Sequence, residues 1–281
     1  MPELPEVTTI VRGLKEKVIG KKIIDVWCDH QKLVQSLKFR VQSVEGARIM
    51  SVDRRAKYII IELDNNLAMV IHLRMTGHLL YRPLDKSKYS EALHDPRNQF
   101  VHFKLRLDNE HELAFSDLRK FGTVEIMPIP EIKSYFEAKK IGPEPLGKSF
   151  SYEQFQKQLK GQRRMIKQVL MDQTVIAGIG NIYADEILFE AGIHPKRKIN
   201  QLSEEELKKI YQAIRKILEK AVELRGTSVS DFRDVLGGKG GFEKTLKVYR
   251  QTGKPCPKCG TKIKRIVVGQ RSAHYCPRCQ K

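Results

Sequence analysis

The sequence predicts an α+β chain of several domains: a β-sandwich led by an N-terminal helix, a helical domain, and a cysteine-bearing β-hairpin at the end. Three observations predict it. Apolar residues are helically spaced from Val7 to Val18, alternate between about Lys22 and Met127, and return to helical spacing from Phe155 to Ala221. Between the last two regimes, Pro128, Pro130 and the run Ile141-Gly142-Pro143-Glu144-Pro145-Leu146-Gly147 can continue neither sheet nor helix. Four of the five cysteines lie beyond residue 255. With 281 residues, two ordinary domains can each bury a core. The expected division is 1–132 for the β domain, 133–149 for a linker, 150–243 for the helical domain and 244–281 for the hairpin. Periodicity alone does not separate a sandwich from a barrel.

The first helix is expected over residues 5 to about 18, with Val7, Ile10, Val11, Leu14 and Val18 on its buried face and Gly20 ending it. Its start allows two readings. Pro5 suits a first turn and Glu6 the positive end of the helix dipole. Alternatively, removal of Met1 would leave Pro2 as a free secondary amine, a nucleophile that condenses with an aldehyde-like carbon to give a cationic iminium. Glu3 could then move protons around that carbon.

In the alternating region, Val101, Phe103, Leu105 and Leu107 interleave with His102, Lys104 and Arg106, while Asp64-Asn65-Asn66 and Asp108-Asn109-Glu110 read as hairpin turns. Trp27 and Cys28, in a strand over Lys22 to Asp29, read as core. Lys57 reads as a solvated lysine at a strand start. Met75, in Arg74-Met75-Thr76-Gly77, and Arg119 and Phe121, in Asp117-Leu118-Arg119-Lys120-Phe121-Gly122, fall on loop tips ending in glycine. Such side chains either pack a core or, together, wedge into a base stack.

In the second half, Phe155, Leu159, Ile166, Val169 and Leu170 mark helices. Ser203-Glu204-Glu205-Glu206 is a capping box for a long helix burying Leu207, Ile210, Tyr211, Ile214, Ile217, Leu218 and Ala221. Gly178-Ile179-Gly180-Asn181 separates a helix ending near Asp172 from one running to Ala191. Glycines and a helix N-terminus together can hold a phosphate, or simply form a loop. Cys256, Cys259, Cys276 and Cys279 form two CxxC knuckles 16 residues apart, which complete a closed tetrahedron for one structural zinc ion. Lys262–Val268 and Arg271–Tyr275 read as the hairpin between them. His274 is close enough to be weighed as a ligand, but the cysteines fill the shell.

The formal charge is +19, and residues 244–281 hold 11 Lys and Arg with no Asp or Glu. A polyanion, nucleic acid before membrane, is the expected partner. No apolar run approaches the roughly 18 residues of a membrane span and no signal peptide is evident, so a cytoplasmic, nucleoid-associated monomer is expected.

Taken together, Pro2-Glu3-Leu4-Pro5-Glu6-Val7, Gly178-Ile179-Gly180-Asn181-Ile182-Tyr183-Ala184, Gly269-Gln270-Arg271-Ser272 and the cysteine knuckles make the chain resemble the formamidopyrimidine-DNA glycosylase family over nearly its whole length. The resemblance implies a repair enzyme that excises 8-oxoguanine and formamidopyrimidines from duplex DNA and cleaves the abasic site by β,δ-elimination. It implies a helix-two-turns-helix in the helical domain. It makes Pro2 the Schiff-base nucleophile, Glu3 its proton donor and acceptor, Lys57 a proton donor and phosphate contact, and Arg271 a grip on the phosphates beside the lesion. Met75, Arg119 and Phe121 become a void-filling triad, and Arg163, Lys167, Asn181 and Lys239 DNA contacts. Residues from Thr227 through Ser230 to Phe242 match a mobile loop over the extruded base. Leu4 argues for the purine branch over the sister endonuclease VIII family for oxidised pyrimidines. Phe100 stands where some relatives have a DNA-contacting histidine, and His78 in a loop near Met75. The rival of another class is a zinc-ribbon DNA-binding protein without chemistry.

Overall fold

The computed structural model describes residues 1–36, 38–229 and 231–281; Leu37 and Ser230, the latter inside the expected covering loop, lie outside the described residues. The chain forms two compact units, Met1–Ala138 with Leu224–Glu243, and Lys139–Glu223 with Lys244–Lys281.

The first unit opens with α1 (Leu4–Val18), with Glu3 as N-cap and Pro5 in the first turn. Val7, Ile10, Val11, Leu14 and Val18 are all buried, as their spacing predicts, and each contributes about 1.5–3 kcal/mol on leaving water. They enter a core shared with two antiparallel four-stranded sheets. One sheet has the order β1-β6-β7-β5, with β1 at Ile23–Cys28, β5 at His78–Pro83, β6 at Val101–Leu107 and β7 at His111–Ser116. The other has the order β2-β3-β4-β8, with β2 at Ile49–Arg55, β3 at Tyr58–Leu63, β4 at Leu67–His72 and β8 at Thr123–Pro128. This is the expected sandwich, and both expected hairpin turns join neighbouring strands, with Asn66 and Glu110 in the left-handed region.

Besides the long passage from β1 to β2, two short connections cross between the sheets, β4 to β5 through residues 73–77 and β7 to β8 through 117–122. Pairing of His72 with Thr123 and of His78 with Ser116 sets the crossovers side by side. Residues far apart in sequence are thereby presented at one end of the sandwich.

Three expectations change here. Trp27 is 41% exposed, because the alternation of β1 turns Val26 inward and leaves the indole outside beneath the Lys104 ammonium, 4.9 Å from its ring. His78 opens β5 and is buried, its imidazole meeting Asn98 Oδ1 at 2.9 Å and the Thr76 carbonyl at 3.3 Å. Part of the expected linker is helical, since α2 occupies Glu131–Ala138 and packs Phe136 edge-on to Tyr58.

Residues 224–243, grouped by sequence with the helical domain, belong to the first unit. Phe232 and Val235 join its core, and the buried Arg233 guanidinium grips Asp95 at 2.6 and 3.0 Å.

The second unit contains α3 (Tyr152–Leu159), α4 (Ile166–Met171), α5 (Asn181–Ala191) and α6 (Glu204–Glu223). The capping box at α6 is complete: Ser203 N–H donates to Glu206 Oε2 at 2.8 Å and Glu206 N–H to Ser203 Oγ at 3.2 Å. Gly192 ends α5 at φ 75°, a left-handed cap that glycine adopts without Cβ strain. β9 (Lys264–Val268) and β10 (Arg271–Tyr275) pair around Gly269 and Gln270, both at positive φ, as a two-residue I′ turn requires. Among the described residues no helix is long and apolar enough to cross a membrane.

Candidate active site

The N-terminal amine lies in a charged recess of the first unit. Burial holds the Met1 amine below its ordinary range; the carboxylates of Glu3, Glu6 and Asp231 oppose that effect and the Lys57 ammonium adds to it. Pro2, Glu3, Glu6 and Lys57 are all buried. Lys57 is therefore no solvated lysine: it follows Ala56, at φ 52°, in the tight turn between β2 and β3, which points it inward. Glu6 accepts from Glu3 N–H at 2.8 Å and, with its other oxygen, from Thr227 N–H at 2.8 Å. One carboxylate thus fixes both the chain start and the first residue of the expected covering loop, a role that sequence reading missed because it assigned Glu6 only to the helix dipole.

The two crossovers carry Met75, Arg119 and Phe121. Met75 is half-buried, Phe121 is 52% exposed, and the Arg119 guanidinium lies 4.6 Å from the Phe121 ring centroid. Leu118, not singled out from sequence, is 54% exposed beside them. Each crossover contains a non-glycine residue at positive φ, Arg74 at 53° and Lys120 at 56°, a conformation kept only where surrounding contacts enforce it. Each also closes on a glycine against Phe115: a Cβ on Gly77 would approach that ring to 2.8 Å and one on Gly122 to 2.3 Å. The glycine endings noted in the sequence have this cause.

In the second unit, Asn181 starts α5 and shares a cleft of about 450 Å³ with Arg250, Arg265, Arg271 and Ser272. The cleft holds three guanidinium groups, and the Asn181 Oδ1 on its wall has no hydrogen-bond partner among the described residues. Polyanion binding is the chemistry such a surface supports. Arg163 is exposed in this unit, and Lys239 is exposed in the first.

Lys167 departs from its expected role as a DNA contact. Its side chain is wholly buried, donating to Asp185 Oδ1 at 2.6 Å and to the Ser272 carbonyl at 2.6 Å. A buried ammonium must be paired, and this one is spent on holding β10 next to Arg271. His274 is likewise held by Asp185, its Nδ1 2.9 Å from Oδ2, and it is not among the four residues whose donor atoms converge as a metal cluster. Beside Asp185, the buried Glu186 carboxylate accepts from the amides of Lys247, Val248 and Tyr249 at 2.9–3.2 Å and pins the segment that leads to Arg250. Burial pushes the Glu186 carboxyl above its ordinary range in spite of those amides.

The sulfur atoms of Cys256, Cys259, Cys276 and Cys279 all lie within 4.8 Å of one another, with cross-knuckle pairs at 3.8 and 3.5 Å. A tetrahedral zinc with bonds of about 2.3 Å needs sulfurs about 3.8 Å apart, so the four thiolates fit that ion and leave no position for substrate. Besides the cysteines, the apolar cluster around them holds Val248 and Ile263 against Phe189 of α5, too little to fold such a fragment unaided, so the ion is structural.

Three family models match the chain: the formamidopyrimidine-DNA glycosylase N-terminal domain over residues 1–124, the H2TH domain of the same glycosylase over 141–233, and a zinc finger found in FPG and IleRS over 253–281. Formamidopyrimidine-DNA glycosylases of Herpetosiphon aurantiacus and Pelotomaculum thermopropionicum are 40% and 41% identical to it, each over 100% of this chain and 100% and 99% of their own. Among solved structures, Lactococcus lactis Fpg with DNA containing an abasic site superposes with a TM-score of 0.88 at 36% identity, covering 99% of both chains. The same enzyme with DNA containing N7-benzyl-Fapy-dG gives 0.89 at 37% identity over 100% of both. On sequence, fold and the order of its functional segments, the chain belongs to the formamidopyrimidine-DNA glycosylase family.

Proposed function

We propose that this protein excises oxidised purines from duplex DNA and cuts the resulting abasic site through a Schiff base on Pro2. The observation that carries the reading is the burial of Pro2, Glu3, Glu6 and Lys57 in the first unit, where the charges of Glu3, Glu6, Asp231 and Lys57 act on the N-terminal amine. In the chain with Met1 attached, the Pro2 nitrogen is an amide and not a nucleophile; loss of Met1 frees it as a secondary amine in the same recess. Burial favours the neutral amine, the form with a lone pair to donate.

Both units would meet DNA through phosphates, Arg271 and Asn181 in the second-unit cleft, with Arg163 and Lys239 as further contacts, a salt-sensitive interaction without sequence readout. Met75, Arg119 and Phe121 would enter the stack, and extrusion of the damaged nucleotide costs a few kcal/mol, least for a base already poorly paired. The Pro2 nitrogen then forms a bond to C1′ as the base leaves with the glycosidic electron pair and takes up the proton that the nitrogen gives up; a second proton, from an acid such as Glu3, reaches the sugar ring oxygen as the C1′–O4′ bond breaks and the iminium forms. Loss of a C2′ proton expels the 3′ phosphate, and a second elimination expels the 5′ phosphate. Lys57 is the proposed proton donor in strand cleavage. The zinc ion supplies no chemistry to these steps; bound, it fixes the hairpin that bears Arg271. We place the protein in the cytoplasm, monomeric and drawn to the nucleoid by its basic tail.

Intact mass combined with borohydride capture tests this on the zinc-loaded protein. The expected result is a chain lighter by its methionine that becomes covalently joined to an abasic or 8-oxoguanine duplex, with capture reduced in Pro2→Gly. A processed wild type that captures neither duplex would leave only a DNA-binding zinc protein. Faster action on thymine glycol than on 8-oxoguanine paired with cytosine would assign it to the pyrimidine branch instead.

A further inference from the structure

We infer that Asp117, acting through Thr76, is a positioning residue that locks the two sheet crossovers into one preformed DNA wedge. The inference rests on the reading just proposed and adds a part to it. Asp117 has no exposure, yet it carries a carboxylate at the head of a turn. Oδ2 accepts from Phe121 N–H at 2.8 Å and Gly122 N–H at 2.7 Å; Oδ1 accepts from Arg119 N–H at 3.2 Å and from the Thr76 hydroxyl. A carboxylate offers about four lone-pair sites, and here all four are taken. The Thr76 oxygen also accepts from Arg119 N–H at 3.1 Å. Thr76 follows Met75, so this single hydroxyl ties the crossover bearing Met75 to the one bearing Arg119 and Phe121.

Water opposes the arrangement that these bonds enforce. Leu118 and Phe121 are about half exposed, and Arg74 and Lys120 sit at positive φ. Apolar side chains on a free loop would fold back onto the sandwich. With the loop backbone already held in shape, less ordering is left to be done when DNA arrives. The carboxylate touches neither sugar nor base in this scheme; it acts through the backbone of the residues that do.

A wedge matters only where there is a stack to open, and this separates positioning from general stabilisation. The test compares the rate of borohydride capture of an abasic site in a duplex with that in the same strand alone, using the full zinc-loaded chain as wild type, Thr76→Val, Thr76→Ser and Asp117→Asn. Thr76→Val and Asp117→Asn are expected to lower the duplex-to-single-strand ratio by about tenfold, the worth of one buried hydrogen bond to a charged group, with Thr76→Ser restoring it. The Thr76 pair decides the matter should Asp117→Asn lose its fold. An unchanged ratio in Thr76→Val, or equal slowing on both substrates, would overturn the inference. Failure of the wild type to capture either substrate would instead sink the enzymatic reading, and the wedge with it.

Discussion

Lys167 and Asp185 form an ion pair of 2.6 Å with no part of either side chain exposed, and the second Asp185 oxygen accepts from the backbone N–H of His274 at 2.9 Å. Through the Ser272 carbonyl, the same lysine reaches the strand that Arg271 opens. A charge left alone there has no water to turn to. Lys167→Met or Asp185→Leu singly should therefore cost about 3–5 kcal/mol in denaturant unfolding of this unit, whereas the double variant should recover most of the loss, since a buried pair replaced by apolar groups is often nearly neutral. Single variants as stable as wild type would contradict the burial.

Removal of zinc should release the hairpin. Arg265 and Arg271 lie on it, and the small cluster of Phe189, Val248 and Ile263 beneath it is too slight to fold a fragment of that size. After chelation, DNA affinity should fall and its dependence on salt should flatten, by a log–log slope of about 0.9 for each phosphate that the released hairpin no longer neutralises. Binding curves that keep both affinity and slope without zinc would show that the hairpin does not hold phosphates.

Much of this was legible in the residues because single causes act alone there. Helical spacing from Val7 to Val18 has only one way to be buried, and two CxxC knuckles only one way to meet a tetrahedral ion. The contributions of Lys167, Asp117 and Glu6 depend instead on partners 18, 41 and 221 residues away, which no local pattern encodes. Lys167 was expected to contact DNA because its position matches a DNA-contacting one of the family, and its burial against Asp185 and the Ser272 carbonyl overrules that. Trp27 read as core because a strand pattern gives alternation without saying which face is inside. An aspartate directly ahead of an exposed turn, as Asp117 is, was the one local signal available, since such side chains accept from the amides that follow.

The Glu6 carboxylate should couple the chain start to the segment at Thr227. Glu6→Ala leaves the amides of Glu3 and Thr227 buried without this acceptor, at about 1–3 kcal/mol each. Hydrogen exchange should then accelerate at both amides together, while the distant Asp95–Arg233 pair keeps the far end of the segment protected. Acceleration at only one of them would show that the carboxylate does not join the two.

Acid stability offers a further check on the second unit. The Lys216 ammonium, hydrogen-bonded to Glu190 and joined there by Lys247 at 3.1 Å, holds the Glu190 carboxyl down to about 2 from an ordinary 4.5. Between those values the unfolded chain binds the proton more readily than the folded one, so stability rises with pH across the window. The contribution is whole above about pH 4.5 and lost as pH falls toward 2. Because these lysines are partly exposed, it should amount to about 1 kcal/mol. Unfolding free energies of wild type and Glu190→Gln should accordingly converge on acidification and stand furthest apart at neutral pH; curves that run parallel from pH 7 to 2 would show that Glu190 does not link α6 to the segment at Lys247.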